Sequence, residues 1–294
     1  MSFVRRVLLI LALFCPLWVF GHEVTHMHKN CKEGILLVSF GTSYKSARES
    51  FEHIDHLVKD RWPNRPVYWA YTSGFIRKKL RKQGLITESP LAVMSHMKDD
   101  GIESIAVQSL HVIAGEEYEE LHDYIDAFQS TKMAFSKVSV GRPLLGSAED
   151  IPEVVRAMLG EVANYRAAGQ SLVLMGHGTE HPADITYLAT ADEFFRQDAH
   201  AFLGTVEGHP RFKTVVNKLE NAGVKNVLLV PFMSVAGDHA NNDMAGEDED
   251  SWKSQLESRG IHCDILLKGM GEMDAMVDLW LDHLQNAIDK LECK

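Results

Sequence analysis

The sequence predicts an α/β fold of two similar halves, with parallel sheets facing one cleft, and three observations carry that prediction. From Gly34 onward, short apolar runs alternate with longer amphipathic stretches, the pattern of βαβ units feeding parallel sheets. The chain also repeats itself: Leu36-Leu37-Val38-Ser39-Phe40-Gly41-Thr42 lines up with Val173-Leu174-Met175-Gly176-His177-Gly178-Thr179, each an apolar strand running into a Gly-Thr turn. Finally, 294 residues exceed one minimal core and suit two packed units of roughly 100–150 residues each.

Element by element, the first strand is expected at 35–40, where Ile35, Leu36, Leu37 and Val38 form an uninterrupted apolar run. Helical spacing follows at 46–60, a second strand at 67–71, and a helix at 90–99 that stops at Asp100-Gly101. A third strand is expected at 104–112, a helix at 116–128, a fourth strand at 138–141 and a helix at 151–166. The second half predicts strands at 172–176, 201–206, 226–232 and 261–267, with helices at 209–222 and 273–291. Ala222-Gly223 before the strand at 226 repeats the helix stop of Asp100-Gly101, and Ala236-Gly237-Asp238-His239 repeats Ala114-Gly115-Glu116-Glu117. The join falls near 165–169, giving an N-terminal domain of 33–167 and a C-terminal domain of 168–294.

Ahead of these domains, Arg5 and Arg6 precede an apolar run, 7–20, that is too short to cross a bilayer about 30 Å thick. This reads as a secretory signal over 1–21, so a periplasmic location is expected, with no stable membrane insertion after cleavage. Residues 22–32 then form a tail containing His22, His26 and His28. Phe14 precedes Cys15 where a lipid anchor wants a small residue, so an anchor is rejected. The mature chain keeps Cys31, Cys263 and Cys293, which allow at most one intramolecular disulfide and lack the CxxC spacing of a redox or zinc site.

Composition removes further classes. Hydrophobic residues at 45% and charged residues at 24% exclude disorder and a multi-span membrane protein, so a soluble body is expected. A net charge of −11 argues against a chain that binds nucleic acid by neutralising phosphates.

The chemistry concentrates where parallel α/β sheets hold ligands, beyond the carboxyl ends of the strands. His177 and His239 occupy the ends of two strands of the second half, and Glu117 stands in the first half where the repeat places His239. Two imidazoles and a carboxylate form a borderline ligand set suited to Co, Ni, Fe or Zn, with positions left open for exchange. Two unrelated loop histidines are the competing account, since 15 histidines make chance pairs easy.

Five separated motifs then become informative together: Val38-Ser39-Phe40-Gly41-Thr42-Ser43-Tyr44, Thr72-Ser73-Gly74-Phe75-Ile76-Arg77, Gln108-Ser109-Leu110-His111, Met175-Gly176-His177-Gly178 and Val235-Ala236-Gly237-Asp238-His239-Ala240-Asn241-Asn242-Asp243. In this order they resemble the anaerobic sirohydrochlorin cobaltochelatases of the CbiK type, from Glu33 to the C-terminus. The resemblance implies a chelatase fold of two Rossmann-like halves and insertion of Co(II), or Fe(II), into sirohydrochlorin. It further implies that His177, His239 and Glu117 bind metal and accept pyrrole protons. Members of this family act in the cytoplasm, so the exported N-terminus is a departure.

A carboxylate-rich tetrapyrrole needs a local basic wall, and Arg77, Lys78, Lys79, Arg81 and Lys82 are the candidates, with Arg77 foremost beside the Ser73-Gly74 turn. Ser39, Thr42, Ser43 and Ser73 are expected to add neutral hydrogen bonds. His96, with Met94 and Met97 near it in sequence, is a candidate haem ligand at a contact between subunits of a homo-oligomer. His181 is a candidate neighbour of the metal, His111 reads as the end of a buried strand, and the acidic run 247–250 as a solvated face. Against the enzyme stands a carrier of metal or tetrapyrrole on the same scaffold, which the export signal favours.

Overall fold

Alternation along the strands decides how the chain layers. In β1 (Glu33–Ser39), Ile35 and Leu37 point to one face and Leu36 and Val38 to the other, and all four are fully buried, so both faces of this strand must be covered. A computed structural model of the chain describes residues 32–291. The signal 1–21, the three tail histidines, Cys31 and Cys293 lie outside the described residues.

β1 pairs in parallel with β2 (Val67–Tyr71) and β3 (Ser104–Ser109), and β4 (Lys137–Gly141) adds to β3, for the order β2-β1-β3-β4. The second sheet repeats this as β6-β5-β7-β8, from β5 (Ser171–Gly176), β6 (Ala201–Thr205), β7 (Asn226–Pro231) and β8 (His262–Ile265). The equivalence holds in register: Leu37 lies opposite Trp69 and Gln108, and Leu174 opposite Leu203 and Val230. All eight predicted strands are present, although 104–112 ends early at Ser109, where the chain leaves the sheet.

The helices are α1 (Glu49–Arg61), after a 3-10 turn at Ser46–Arg48, α2 (Gly74–Lys82), α3 (Pro90–Asp99), α4 (Glu116–Gln129), α5 (Asp150–Val162), α6 (Ile185–Gln197), α7 (Phe212–Asn221), α8 (Trp252–Glu257) and α9 (Asp274–Asp289). Three escape the periodicity reading. α2 buries only Leu80 and α8 is six residues long. α6 buries Tyr187 and Phe194 but leaves Ile185, Leu188 and Phe195 exposed, so its apolar residues mark no single face.

Helices α3 and α4 cover the outer face of the first sheet, packing Met94, Met97, Leu121 and Ile125 on Leu36, Val38 and Val107. α7 and α8 do the same for the second, with Leu219, Trp252 and Leu256 against Val173 and Leu229. The inner faces share one core, in which Leu37 and Ala106 of the first sheet, Leu174 and Val230 of the second, and Met158, Trp280 and Leu284 of α5 and α9 belong to one cluster. α9, the last element among the described residues, packs on β3 and β4 of the first sheet. A boundary at 167/168 therefore separates the sheets but not the helices that cover them.

A buried polar group anchors that return. Asp150 accepts from Arg142 Nε at 2.9 Å and Nη2 at 2.6 Å, while His283 of α9, itself buried, lies against Arg142 O at 3.1 Å and Asp150 at 3.4 Å. Burial disfavours the Asp150 charge, but the Arg142 hydrogen bonds and the neighbouring His283 outweigh it and hold its pKa below the usual carboxylate value. Burial also depresses His283, against the pull of Asp150.

Two expectations follow. Trp280→Ala should destabilise the fold by about 3–5 kcal/mol, read from the urea midpoint, because a fully buried indole leaves a cavity in the shared core. Both Asp150 and His283 have folded pKa values below their unfolded ones, so the unfolded chain binds more protons and stability falls on acidification. The His283 contribution declines below about pH 6.5 and that of Asp150 below about pH 4. His283→Gln should flatten the upper limb of the stability profile, and Asp150→Asn the lower.

Candidate active site and metal centre

His177 follows the last residue of β5, and Glu207 stands two residues beyond the end of β6. Val206 N donates to Gly176 O at 3.1 Å and Glu207 N to His177 O at 2.9 Å, so the two loops run on together past the sheet. Gly178 makes the approach possible: its φ is +78°, and a Cβ there would lie 2.2 Å from Gly208 N. Beneath the loop Tyr187 is buried, and that burial foremost pushes its phenol pKa up, against the pull of the Gly178 and His177 backbone.

His239 comes from a third strand end. Asn241 Nδ2 pins the loop after β7 by donating to Ala236 O at 3.0 Å and Gly237 O at 2.7 Å, and a π-helical turn, Ala240–Met244, follows the histidine. His239 Nδ1 lies 2.6 Å from Asp243 Oδ2 and His177 Nδ1 lies 2.8 Å from Gly178 O. A carbonyl only accepts, as does an ionised carboxylate, so Nδ1 is the donor in both rings and Nε2 is the nitrogen left to meet a metal.

The two rings stand edge to face, with centroids 4.7 Å apart. One ligand atom from each of His177, Glu207 and His239 lies within 4.8 Å of the others, and this is the one group of three metal-capable side chains among the described residues. The expected two-histidine pair is therefore present, but its carboxylate is Glu207 where the sequence reading had Glu117. Glu117 stands in the first turn of α4, close enough to Tyr187 for its charge to add to the rise in the phenol pKa, and outside the group of three. The repeat pointed to Glu117 as the counterpart of His239. The signal missed was simpler, an acid-glycine turn, Glu207-Gly208, at the end of the strand next to the one that carries His177.

Loops of the first half close on this group. Tyr44 donates to Asp238 Oδ1 at 2.8 Å and accepts from Asn242 Nδ2 at 3.2 Å, on either side of His239. The hydrogen bond to Asp238 is the main reason its pKa is raised. Thr42 Oγ1 accepts from Tyr44 N and faces Gly237, where an added Cβ would come within 3.5 Å. Ser39 Oγ is buried at the end of β1 without a hydrogen-bond partner, Ser43 is half-buried, and Ser73 is occupied as the cap of α2, accepting from Ile76 N at 3.2 Å.

Arg77 does not stand free: its Nη1 donates to Tyr71 O and, at 2.6 Å, to Thr72 O, so it holds the end of β2. Lys78, Arg81 and Lys82 are exposed on α2, and Lys79 lies 5.9 Å over the Tyr44 ring. His181 turns to Glu119 of α4, with Nε2 3.2 Å from Oε1. His111 Nε2 is enclosed without a partner, and burial pushes its pKa down to about 4, so it stays neutral. His96 is exposed, 3.2 Å from Glu88, while Met94 and Met97 point into the core and offer it no sulfur partner. Exposure of 247–250 fits the solvated face, with Glu247 2.6 Å from Lys253.

Two four-stranded parallel sheets, with a candidate metal group beyond their carboxyl ends, form a fold that is shared with solved chelatases. The fold is similar to the sirohydrochlorin chelatase SirB of Bacillus subtilis subspecies spizizenii, solved in complex with cobalt, at a TM-score of 0.58 and 14% identity over 88% of this chain and 97% of that one. It is also similar to CbiX, described as the terminal enzyme of sirohaem biosynthesis in denitrifying bacteria, at a TM-score of 0.51 and 15% identity over 86% and 99%.

Sequence narrows the class: the profile of the cobalt chelatase (CbiK) family matches residues 33–289, and the chain belongs to that family. Relatives include the sirohydrochlorin cobaltochelatase CbiKC of Nitratidesulfovibrio vulgaris strain Hildenborough, 38% identical over 89% of this chain and 92% of the relative. Another is the sirohydrochlorin cobaltochelatase of Salmonella typhimurium strain LT2, 35% identical over 88% and 97%.

The geometry separates the two glutamates. Glu207→Gln should weaken Co(II) binding to the metal-free protein by at least about 10-fold, and Glu117→Gln should leave that affinity unchanged, both by calorimetric titration. Asp243→Ala, which deprives His239 of its Nδ1 partner, should cost about 10–100-fold in the same measurement.

Proposed function

We propose that the protein is a sirohydrochlorin cobaltochelatase, inserting Co(II) into the macrocycle with metal and tetrapyrrole both as substrates. One observation carries this reading: two imidazoles, each with its Nδ1 engaged by a neighbouring oxygen, and the Glu207 carboxylate converge at the strand ends, in a chain of the CbiK family. Metal insertion requires ligands that hold a divalent ion and then release it, and acceptors for the two pyrrole protons that the ion displaces. His177, His239 and Glu207 would hold the ion, as exchangeable nitrogen and oxygen ligands of borderline character. Once the ion passes to the ring, the freed imidazoles would accept the displaced protons. Glu117, whose charge reaches Tyr187, is assigned the remaining proton-acceptor role, outside the group of three. Ligand type alone does not select cobalt from iron, so Fe(II) is a second substrate metal of this reading.

The basic α2 and the partnerless Ser39 Oγ support carboxylate and polar contacts to the tetrapyrrole rim. Export to the periplasm is supported by Arg5, Arg6 and the apolar run 7–20. An exposed His96 supports haem ligation between subunits of a homo-oligomer, in which case purified protein shows a Soret band that His96→Ala removes.

The deciding assay mixes mature protein with sirohydrochlorin and Co(II) anaerobically and follows the visible spectrum. Many turnovers per protein are expected from the wild type. His177→Ala and His239→Ala should each lose at least about 100-fold in kcat/KM while staying folded. Stoichiometric binding without turnover would replace the enzyme by a carrier.

A further inference from the structure

Glu207 has little of its own to hold it in place. Its side chain is 55% exposed, and its one ion-pair contact among the described residues is the His177 ring, with Nδ1 3.9 Å away. Its position in the metal group must therefore come from its backbone, and so from whatever fixes the loop after β6 against the loop after β5.

Asp184, only 13% exposed, joins these loops from the 3-10 turn ahead of α6. Its Oδ1 accepts from Thr179 N at 3.2 Å, two residues past His177. Its Oδ2 accepts from His209 N at 2.9 Å, two residues past Glu207, and lies 3.1 Å from His209 Nδ1. The fit leaves no slack: a Cβ on Gly208 would lie 2.0 Å from Asp184 Oδ1 and 2.8 Å from Thr179 N. One carboxylate thus clamps the chain immediately after each of two metal-binding side chains. Both of its oxygens are committed to this, and Asp184 is outside the group of three.

We propose that Asp184 is a positioning residue of the metal site, whose carboxylate ties the His177 loop to the Glu207 loop and thereby sets the Glu207 carboxylate against the two imidazoles. This rests on the metal role proposed for His177, Glu207 and His239. Hydrogen bonds to an ionised acceptor are shorter and stronger than neutral ones, so a carboxylate at this junction holds the loops more firmly than an amide. Asp184→Asn keeps the shape and one acceptor but turns an NH2 group toward the His209 N–H, donor against donor.

The test titrates Co(II) into metal-free wild type, Asp184→Asn and Glu207→Gln, reading affinity and the visible ligand-field band of bound cobalt, followed by steady-state turnover. Asp184→Asn is expected to bind Co(II) about 10–100-fold more weakly, with an altered band, and to lower kcat/KM while KM for sirohydrochlorin stays within about twofold. Wild-type affinity and band in Asp184→Asn, alongside an impaired Glu207→Gln, would overturn the proposal and leave the metal site standing. Weaker binding with the wild-type band shape would also overturn it, since that is a lost charge and not a displaced ligand. Wild-type behaviour in Glu207→Gln as well would remove the metal reading itself, and the proposal with it. Should Asp184→Asn fail to fold, His209→Ala removes only the ring contact to Oδ2, and it is expected to shift affinity and band in the same direction to a smaller extent. An unchanged His209→Ala would then count against the clamp.

Discussion

The candidate metal site depends on the contact between two loops that meet backbone to backbone. Gly178 and Gly208 approach so closely that a Cβ on Gly178 would collide with the amide nitrogen of Gly208. The hydrogen bonds from Val206 and Glu207 to Gly176 and His177 exist only because that approach is open. Parallel strands bring loops to the same end of a sheet but leave them a strand spacing apart, about 4.8 Å. Closing the remaining gap without side chains in the way makes one ligand group of two separate strand ends.

A second constraint lies beneath the site. The inner faces of both sheets share one apolar core, and α9 crosses back at the end of the chain to complete the first sheet. Trp280 at the centre of α9 reaches the site side of that core, with its Nε1 3.4 Å from His111 O just past β3. Separating the halves would expose Leu37, Leu174, Met158 and Trp280 together, so the loops they carry face each other on a rigid base. Contacts such as Tyr44 to Asp238 and His181 to Glu119 then need only short side chains to span between halves.

Much of this was legible in the residues because the signals are local. Short apolar runs, several of them broken by polar residues, marked the strands, the internal repeat pointed to two similar halves, and His177 and His239 stood out at strand ends. What failed did so for stated physical reasons. α6 hid because its apolar residues surround the helix, with Ile185 and Phe195 exposed and Phe194 buried. Arg77 was legible as a basic residue at the Ser73-Gly74 turn, but not its Nη1 hydrogen bonds to the carbonyls at the end of β2, which depend on how the helix folds back on the strand.

The sequence by itself determined the fold class, the two-sheet architecture and the two imidazoles, because hydrophobic alternation and strand-end turns are written in neighbouring residues. Only the tertiary structure decided which carboxylate joins them. Glu117 and Glu207 both stand beyond strand ends, and the pairing of β5 with β6, together with the glycine contact and the Asp184 clamp, places Glu207 beside His177. Likewise the return of α9 to the first sheet is decided by which inner face remains uncovered, a property of the assembled core that no local stretch of sequence expresses.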